Sequence, residues 1–373
     1  MIPDEIAQAV LSHEDVARYL RSSHGGSDGR ERIVAYLEEL QTTQRYALYR
    51  ALKHPLYPIL RKIDRQVEHV DIVKAATRAG RVLYASNHRS HTDYLVEPLA
   101  LDDNGVRPPI IAAGINLFNG PFGLINKYVT GAMPIRRNTK DPAYLVTLRA
   151  YVGELLRSHD FLFYPEGGRS YSGDLKPAKT GLFIAALLSG QPALSIIPTG
   201  IAYDLVLEDH ILARQGIKRR QRTFTRELAE MVRYAVGYRS RAFVTFGRPI
   251  PLEGWDPQSR RDVLELARLT RHSIGRLIKV LPTSLVAAAM HPSITRRELE
   301  TGADALLDTL RGVGANLGVT SGRQAVEEAA EALEARGVIV LERGRFRVRD
   351  RSVLRYYARS IDHLLTAGAG RTH

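Results

Sequence analysis

Between about residues 80 and 280, short apolar runs alternate with longer stretches whose apolar positions recur at helical spacing. The apolar runs predict strands at Val82–Ala85, Pro109–Ala113, Phe161–Tyr164, Leu194–Ala202 and Ala242–Phe246. The stretches between them predict helices at Ala143–Arg157, Gly181–Ser189, Thr225–Tyr234 and Asp262–Val280. This alternation predicts an α/β fold with a mostly parallel sheet flanked by helices. In such folds the site lies beyond the carboxyl ends of the strands, where we expect His88, Glu166 and Pro198.

The two ends of the chain follow different patterns. Residues up to about 66 are helical in pattern, and Asp28 is placed to cap one long helix that Pro55 and Pro58 would end. The apolar positions of this helix are Ile33, Leu37, Leu40, Ala47, Leu48, Ala51 and Leu52. After about residue 285, helical stretches lead to two alternating runs around Arg343-Gly344, which predict a basic β-hairpin. We therefore predict an N-terminal helical region at 1–66, an α/β domain at 67–284 and a helical, winged-helix-like region at 285–373.

Composition narrows the possible functions. The chain of 373 residues has no cysteine, so disulfide bonds and thiol catalysis are excluded. Its formal net charge of +13 favours contact with polyanions such as nucleic acid, anionic lipid headgroups or acidic proteins. The longest uncharged stretch, Gly181–Tyr203, is split by Ser189-Gly190-Gln191-Pro192 into pieces too short to cross a bilayer. If the protein acts at a membrane, we expect it to lie on the surface.

His88 and Asp93 follow the predicted strand Val82–Ala85, with four residues between them. Histidine is the side chain best suited to take a proton near neutral pH, and an adjacent carboxylate stabilises the imidazolium that forms. Residues five apart on a regular helix point about 140° apart, so the pair can meet only if His88 lies in a turn and Asp93 in the first helical turn after it. Two alternatives remain open at this point. Asp93 or Ser90 could merely cap the following helix, or His88, His91 and Asp93 could bind zinc.

Further segments carry side chains that suit an anionic substrate. Arg136 and Arg137 follow Ile135, and paired guanidinium groups match the oxygens of a phosphate. A later strand leads into a glycine-rich turn formed by Glu166, Gly167, Gly168, Arg169 and Ser170. Lys179 adds a cation at the start of a predicted helix, and a proline in Ile196–Tyr203 predicts an edge strand or a bulge. Each segment alone is also compatible with a solvated surface or an ordinary turn.

Together and in this order, these segments resemble the glycerolipid acyltransferase superfamily and, within it, the membrane-associated glycerol-3-phosphate acyltransferases of bacteria. The resemblance is carried by His88–Leu95, Ala112–Leu117, Gly131–Arg137, Glu166–Ser170, Lys179–Gly181 and Val353–Leu365. It covers roughly residues 80 to 365. It implies the mostly parallel sheet of that superfamily, with the acyltransferase domain at 67–284.

The resemblance implies transfer of a fatty acyl group from acyl-CoA or acyl carrier protein to the 1-hydroxyl of glycerol 3-phosphate. His88 would take the proton from this hydroxyl, and Asp93 would orient His88. The residues implied to bind substrate are Ser90, Ile135, Arg136, Arg137, Glu166, Gly167, Arg169, Ser170 and Lys179. No metal is implied, and no cofactor beyond the acyl donor. The implied location is the cytoplasmic face of the cell membrane, with peripheral attachment to an anionic surface.

Two other functions remain open from the sequence. One is the sister reaction, in which 1-acylglycerol 3-phosphate is acylated at its second hydroxyl. The other is nucleic-acid binding through the C-terminal hairpin and the basic surface, although no nucleic acid is expected because the hairpin lacks an obvious set of base-stacking aromatic residues. Membrane attachment is expected to involve a basic cluster formed by Lys218, Arg219, Arg220, Arg222 and Arg226.

Overall fold

The structure is a computed structural model that describes residues 4–22, 28–56, 63–118, 123–218 and 240–369. Its main sheet has eight strands, which are β1 (Asp64–Glu68), β2 (Val82–Ser86), β3 (Ile110–Gly114), β4 (Ala132–Ile135), β5 (Phe161–Phe163), β6 (Ser195–Tyr203), β7 (Arg241–Phe246) and β8 (Ile250–Pro251). The order across the sheet is β1-β7-β6-β2-β5-β3-β4, and β8 pairs with β6. From β6 to β4 all neighbours are parallel, whereas β7 and β8 are antiparallel to β6. The predicted mostly parallel sheet is confirmed.

Helices cover both faces of this sheet. Along the first 277 residues they are α1 (Asp4–Ser12), α2 (Glu14–Arg21), α3 (Gly29–Leu40), α4 (Tyr46–Leu56), α5 (Val70–Ala79), α6 (Asp93–Asp103), α7 (Gly123–Tyr128), α8 (Pro142–Ser158), α9 (Gly181–Leu188), α10 (Asp209–Lys218) and α11 (Arg260–Leu277). Every residue of β2 is buried, which explains its continuous apolar run. Val82 and Tyr84 belong to one apolar core, which also contains side chains of α5, α6 and α10. Leu83 and Ala85 belong to a second core, which contains side chains of α1 to α3, α8, α9 and α11. The alternating side chains of one central strand thus join two apolar cores.

The five predicted strands are present as β2, β3, β5, β6 and β7. Three of the predicted helices are present as α8, α9 and α11, and the fourth, Thr225–Tyr234, lies outside the described residues. The sequence pattern gave no strand at β1, β4 or β8. No helix of the described residues combines the length and the apolar character needed to cross a membrane.

The position predicted for Pro198 is wrong. Pro198 does not follow a strand end, and β6 is not an edge strand, because it lies between β2 and the antiparallel strands β7 and β8. On the antiparallel side β8 pairs with Ser195 and Ile196, and β7 pairs from Thr199 onward. Pro198 falls in the gap between these two ladders, and its carbonyl accepts the amide of Gly247 at 2.8 Å. A central strand tolerates this proline because no ladder bond is required of its nitrogen there.

The prediction of a single long N-terminal helix is also wrong, because residues Gln41–Arg45 interrupt it and divide it into α3 and α4. Thr42 anchors the break. Its amide donates to Tyr151 Oη at 3.0 Å, and its hydroxyl donates to the carbonyl of Ala132 at 3.0 Å. Asp28 precedes α3 but makes no side-chain cap. Contacts with α8 and β4 therefore override the helical periodicity of this segment.

Residues 282–369, here called the C-terminal unit, follow α11. The elements of this unit are α12 (Pro282–Ala289), β9 (Ser293–Thr295), α13 (Arg296–Gly312), α14 (Gly322–Ala335), β10 (Ile339–Glu342), β11 (Arg345–Val348), α15 (Arg351–Arg359) and α16 (Asp362–Ala369). The predicted hairpin is confirmed as β10 and β11, and β9 extends it to three antiparallel strands. Buried side chains of this unit belong to the same core as those of α5 and α6. The domain boundaries at 66/67 and 284/285 stay predictions.

Candidate active site

His88 lies in the turn after β2, and Asp93 is the first residue of α6, as their spacing required. Nδ1 of His88 is 2.8 Å from Oδ2 of Asp93. The same carboxylate accepts the backbone amides of Arg89 at 2.6 Å and Ser90 at 2.9 Å, and the hydroxyl of Tyr203 at 2.7 Å. The Asp93 side chain is therefore directed back into the turn and does not cap α6. It supports the imidazole ring.

The charge states of this pair suit a proton acceptor. Burial raises the pKa of Asp93 to about 6, so its carboxyl is ionised at neutral pH. Burial and the positive charges of Arg169, Arg137 and Lys176 hold the pKa of His88 well below its ordinary value. An ionised carboxylate only accepts hydrogen bonds, so the proton of the neutral imidazole is on Nδ1. Nε2 carries the lone pair, and no hydrogen bond from the described residues engages it.

A second buried network fixes the imidazole ring. Tyr164, which follows β5, stacks on His88 with ring centroids 4.2 Å apart and planes at 15°. Its hydroxyl donates to Glu97 on α6 at 2.8 Å, and the hydroxyl of Ser86 donates to the other carboxyl oxygen. Burial, together with the charge of Asp93, raises the pKa of Glu97 to about 8. Glu97 therefore mainly holds a proton at neutral pH and connects α6 with β2 and β5.

A cavity of about 220 Å³ lies beside Tyr164, which forms part of its wall. The apolar side chains of the wall come from Ala112, Ile135, Tyr144, Leu145, Leu148, Phe163 and Leu182. Its polar side chains come from Arg136, Arg137, Asn138, Thr139 and Lys179, and Nζ of Lys179 donates to Asn138 at 2.8 Å. Such a wall suits a small anionic group attached to an apolar chain. His88 is not part of the wall and adjoins it through Tyr164.

Glycines make room for Arg137 and Lys179, two cations of this cavity. A Cβ at Gly114 would come within 2.9 Å of Nη2 of Arg137, and one at Gly168 within 3.3 Å of Nη1. Gly167 has a φ of +69°, and a Cβ there would come within 2.7 Å of the Lys179 side chain. A larger residue at these positions would displace a charged group from the cavity wall.

Arg136 contributes to the wall of the cavity, but its guanidinium is engaged elsewhere. Nε of Arg136 donates to Glu39 at 2.7 Å, and the guanidinium lies 5.0 Å from the centroid of the Tyr36 ring. Because Glu39 already binds the guanidinium of Arg136, the two arginines do not form a pair around one ligand. Of the two arginines, Arg137 is the one placed to meet an anion in the cavity.

Glu166 and Ser170 are buried and bonded to the protein itself. Glu166 accepts the backbone amides of His88 at 3.0 Å and Lys176 at 2.9 Å. Ser170 donates its hydroxyl to the carbonyl of Asp174 at 2.7 Å. These bonds hold the glycine-rich turn against the turn of His88. Direct contact of Glu166 or Ser170 with substrate stays a prediction.

Glu208, which precedes α10, is a residue that the sequence pattern did not reveal. Its buried carboxylate accepts the hydroxyl of Ser90 at 2.9 Å and the amide of His91 at 2.6 Å. It also lies 3.8 Å from Nη1 of Arg169, whose guanidinium is 5.8 Å from the centroid of the Tyr171 ring. Glu208 thus connects the turn of His88 with the glycine-rich turn. The only hint in the sequence is that Glu208 directly follows the apolar residues Leu205, Val206 and Leu207, which suggests a buried carboxylate that needs hydrogen-bond partners.

The zinc alternative lacks its ligand set. Within the residues that the structure describes, no group of three or more histidine, cysteine, aspartate or glutamate side chains could hold a metal ion. His88 and Asp93 bond directly to one another instead.

Comparison with known proteins identifies the class to which this site belongs. Residues 66–202 match the family model described as Acyltransferase, so the chain contains an acyltransferase-family domain. This match begins within β1, ends one residue before the end of β6, and includes both His88 and Asp93.

Within this class, the chain is similar to two glycerol-3-phosphate acyltransferases. The one from Pseudoalteromonas atlantica is 32% identical over 264 residues, which are 68% of this chain and 31% of that protein. The one from Actinobacillus succinogenes is 33% identical over 257 residues, 65% of this chain and 32% of that protein. These similarities confirm the resemblance predicted from the sequence. The chain spans about a third of the length of these relatives.

A solved structure of the 1-acyl-sn-glycerophosphate acyltransferase PlsC of Thermotoga maritima is also similar to this chain. The similarity covers 74% of this chain and 96% of that one, with a TM-score of 0.36 and 14% sequence identity.

Proposed function

We propose that the chain transfers a fatty acyl group from acyl-CoA or acyl carrier protein to the 1-hydroxyl of glycerol 3-phosphate, giving 1-acylglycerol 3-phosphate. The observation that carries the proposal is a neutral, Asp93-supported His88 whose ring stacks on Tyr164, a wall residue of a cavity with apolar and cationic side chains. The similarity to glycerol-3-phosphate acyltransferases over about two thirds of the chain supports the same reaction.

In this reaction His88 acts as a general base. Nε2 takes the proton of the 1-hydroxyl while its oxygen attacks the thioester carbonyl, and a tetrahedral oxyanion forms. When the oxyanion collapses, the carbon–sulfur bond breaks and the thiolate leaves with the proton held by His88. Asp93 stabilises the imidazolium between these two steps. The transfer balances without a metal or a redox cofactor.

The cavity offers a place for each part of the substrates. Arg137 and Lys179 are the proposed ligands of the phosphate of glycerol 3-phosphate, and Arg169 adds positive charge close to His88. The apolar part of the wall is proposed to contact the acyl chain.

The proposed place of action is the surface of an anionic membrane, on its cytoplasmic face. The net charge of +13 supports attraction to such a surface. Two exposed apolar side chains, Ile115 directly after β3 and Leu124 on α7, are available for insertion near the carboxyl edge of the sheet. The predicted basic cluster at 218–226 lies outside the residues whose side chains are described.

The experiment that tests the reaction mixes the purified protein with radiolabelled glycerol 3-phosphate and each acyl donor and identifies the lipid product. We expect 1-acylglycerol 3-phosphate, and His88→Ala should lower turnover at least about a hundredfold. His91→Ala is the matched control in the same turn and should lose much less. Acylation of 1-acylglycerol 3-phosphate alone would assign the sister reaction. Near-normal turnover by His88→Ala, or loss of wild-type activity on adding a chelator, would contradict the mechanism.

A further inference from the structure

The C-terminal unit contacts the turn that carries His88. The residue after it, Arg89, is buried, and its guanidinium donates to the carbonyl of Ser360 at 3.5 Å. The carbonyl of Arg89 accepts the hydroxyl of Tyr356 on α15 at 3.3 Å. The amide of Arg89 donates to Asp93. Arg89, whose amide bonds the carboxylate of Asp93, is therefore held by the C-terminal unit at two points. Its guanidinium bonds Ser360, and its carbonyl bonds Tyr356.

The fit between α15 and Gly173, three residues after the glycine-rich turn, is close. Gly173 has a φ of +91°, and a Cβ there would collide with the carbonyl of Tyr356. The carbonyl of Gly173 also accepts the guanidinium of Arg89. Both the backbone conformation and the lack of space at position 173 require glycine. The close approach of Tyr356 to Gly173 shows that α15 lies directly against the residues around His88.

A second set of contacts runs through the segment between β6 and α10. Arg336, directly after α14, forms a buried ion pair with Asp209 at 2.6 Å and donates to the carbonyl of Val206 at 2.8 Å. Tyr357 on α15 donates to Asp209 at 2.7 Å and accepts the amide of Val206 at 3.0 Å. Glu208 lies between these anchored residues and bonds the turn of His88 as described above.

We infer that the C-terminal unit is a positioning element for the turn that carries the catalytic base, and that Tyr356 and Tyr357 are the positioning residues through which it acts. The inference rests on the proposed acyl transfer. The two tyrosines act on this turn by different routes. Tyr356 bonds Arg89 in the turn directly. Tyr357 holds the segment that carries Glu208, and Glu208 bonds Ser90 and His91 in the turn. Misplacing a reacting group by about 1 Å lowers the rate of a positioned reaction by about a hundredfold.

Two variants of the full-length chain test this role. Tyr356→Phe and Tyr357→Phe each remove one hydroxyl and keep the ring. Tyr151→Phe is the matched control, because Tyr151 on α8 is equally buried and its hydroxyl also accepts a backbone amide, that of Thr42 at 3.0 Å. We expect each of the first two variants to lower kcat at least about tenfold with KM changes below about twofold, and the control to keep kcat within about twofold.

Two outcomes would overturn the positioning role while leaving the reaction intact. One is a kcat near the wild-type value in both Tyr356→Phe and Tyr357→Phe while His88→Ala is inactive. The other is a loss of kcat in Tyr151→Phe as large as in the two test variants, which would reduce the contacts to ordinary packing.

If the wild-type protein transfers no acyl group, the proposed function fails. The positioning role of the C-terminal unit is then tested by nitrogen-15 NMR spectra of the histidine imidazoles instead. The signals of His88 are assigned by their absence in His88→Ala. A change from the Nδ1-protonated form toward a mixture of tautomers in Tyr356→Phe would support positioning by the C-terminal unit. Unchanged nitrogen shifts of His88 in both tyrosine variants would overturn it.

Discussion

The immediate neighbours of His88 determine whether it can accept a proton. Burial disfavours the imidazolium, and Arg169, Arg137 and Lys176 add positive charge nearby, so the pKa of His88 is lowered. A base with a lowered pKa stays neutral when the pH falls below the ordinary histidine pKa of about 6.5. The activity that depends on neutral His88 should therefore persist down to about pH 6, where half of the Asp93 carboxylates are protonated and their support of the imidazolium is lost.

Removing one of these charges should move the acidic limb of the pH–rate profile. Lys176→Met takes away a cation that lowers the pKa of His88, so this pKa should rise and kcat/KM should begin to fall at a higher pH than in the wild type. Lys140→Met is the control, because Lys140 is an exposed lysine outside this set. An acidic limb that stays in place, or moves to lower pH, in Lys176→Met would contradict the role of these cations. The measurement is kcat/KM between pH 5 and 9.

Two adjacent arginines should differ in their effect on substrate binding. Arg137→Met should raise KM for glycerol 3-phosphate about ten- to a hundredfold, because a charged hydrogen bond is worth about 1.5–3 kcal/mol. Arg136→Met should raise it less than about threefold, since the guanidinium of Arg136 is bound by Glu39. Steady-state kinetics with each substrate varied in turn make the comparison. A larger effect on KM of the acyl donor in Arg137→Met would assign Arg137 to the donor.

The sequence predicts only some of the residues around the imidazole. His88 and Asp93 are close in the chain, so their spacing restricts how they can meet, and the structure agrees. Glu208 and Glu97 were not predicted, because each acts through partners that folding brings near. Glu208 bonds Ser90 across 118 positions, and no local pattern encodes such a contact.

Secondary-structure elements are predictable where burial makes their composition uniform. The strand β2 is buried along its whole length, and its apolar run marked it correctly. The edge strand β1 was missed because its sequence, Asp-Arg-Gln-Val-Glu, is polar and none of its residues is fully buried. Pro198 in β6 led to the wrong prediction of an edge strand. The gap between β7 and β8 that accommodates this proline arises only when distant strands pair, so the local sequence does not show it.

The junction of α6 with β2 and β5 should respond to pH through Glu97. Burial raises the pKa of Glu97 from 4.5 to about 8, so the folded protein binds a proton that the unfolded chain releases between these values. Stability from this group is full below about pH 4.5 and is lost as pH rises through 8. Glu97→Gln cannot ionise, so its melting temperature relative to the wild type should rise by about 2 °C or more between pH 6 and pH 9.

The control for this measurement is Glu31→Gln, which changes an exposed glutamate on α3. Its melting temperature relative to the wild type should not depend on pH in this range. If the difference between Glu97→Gln and the wild type were the same at both pH values, Glu97 would not be the protonated group of this junction.

Across the whole molecule, positive charge is not concentrated on the C-terminal unit. The exposed face of α14 carries Arg323 with Glu327, Glu328 and Glu331. Three arginines in or directly after β11 contact two glutamates, in the pairs Arg345–Glu298, Arg347–Glu342 and Arg349–Glu342. A nucleic acid would meet an acidic helix and arginines already engaged by glutamates here, which disfavours the nucleic-acid alternative.

Attachment to membranes should depend on charge. Sedimentation with vesicles should show binding that rises with anionic lipid and weakens in high salt, since each surface cation contributes up to about 1 kcal/mol. Neutralising the basic cluster should weaken binding at least about tenfold; the changed residues are Lys218, Arg219, Arg220 and Arg222.

The control variant neutralises four exposed arginines elsewhere and has the same net charge. Its changed residues are Arg260, Arg261, Arg268 and Arg297. Weaker loss in the control than in the cluster variant would locate the attachment at the cluster. Equal binding to neutral and anionic vesicles, unaffected by salt, would rule out the electrostatic part and leave apolar insertion.

The contact between Tyr356 and Arg89 joins residues 267 positions apart, and this distance has a consequence for synthesis. Translation delivers the turn of His88 and the whole main sheet long before α15 leaves the ribosome. If α15 positions that turn, a nascent chain with all of its substrate ligands in place still has an unsupported base. Under the proposed function, acyl thioesters would then be consumed only after nearly all of the described chain has been released and folded, so that an abandoned translation product or a chain cut before α15 would be inactive.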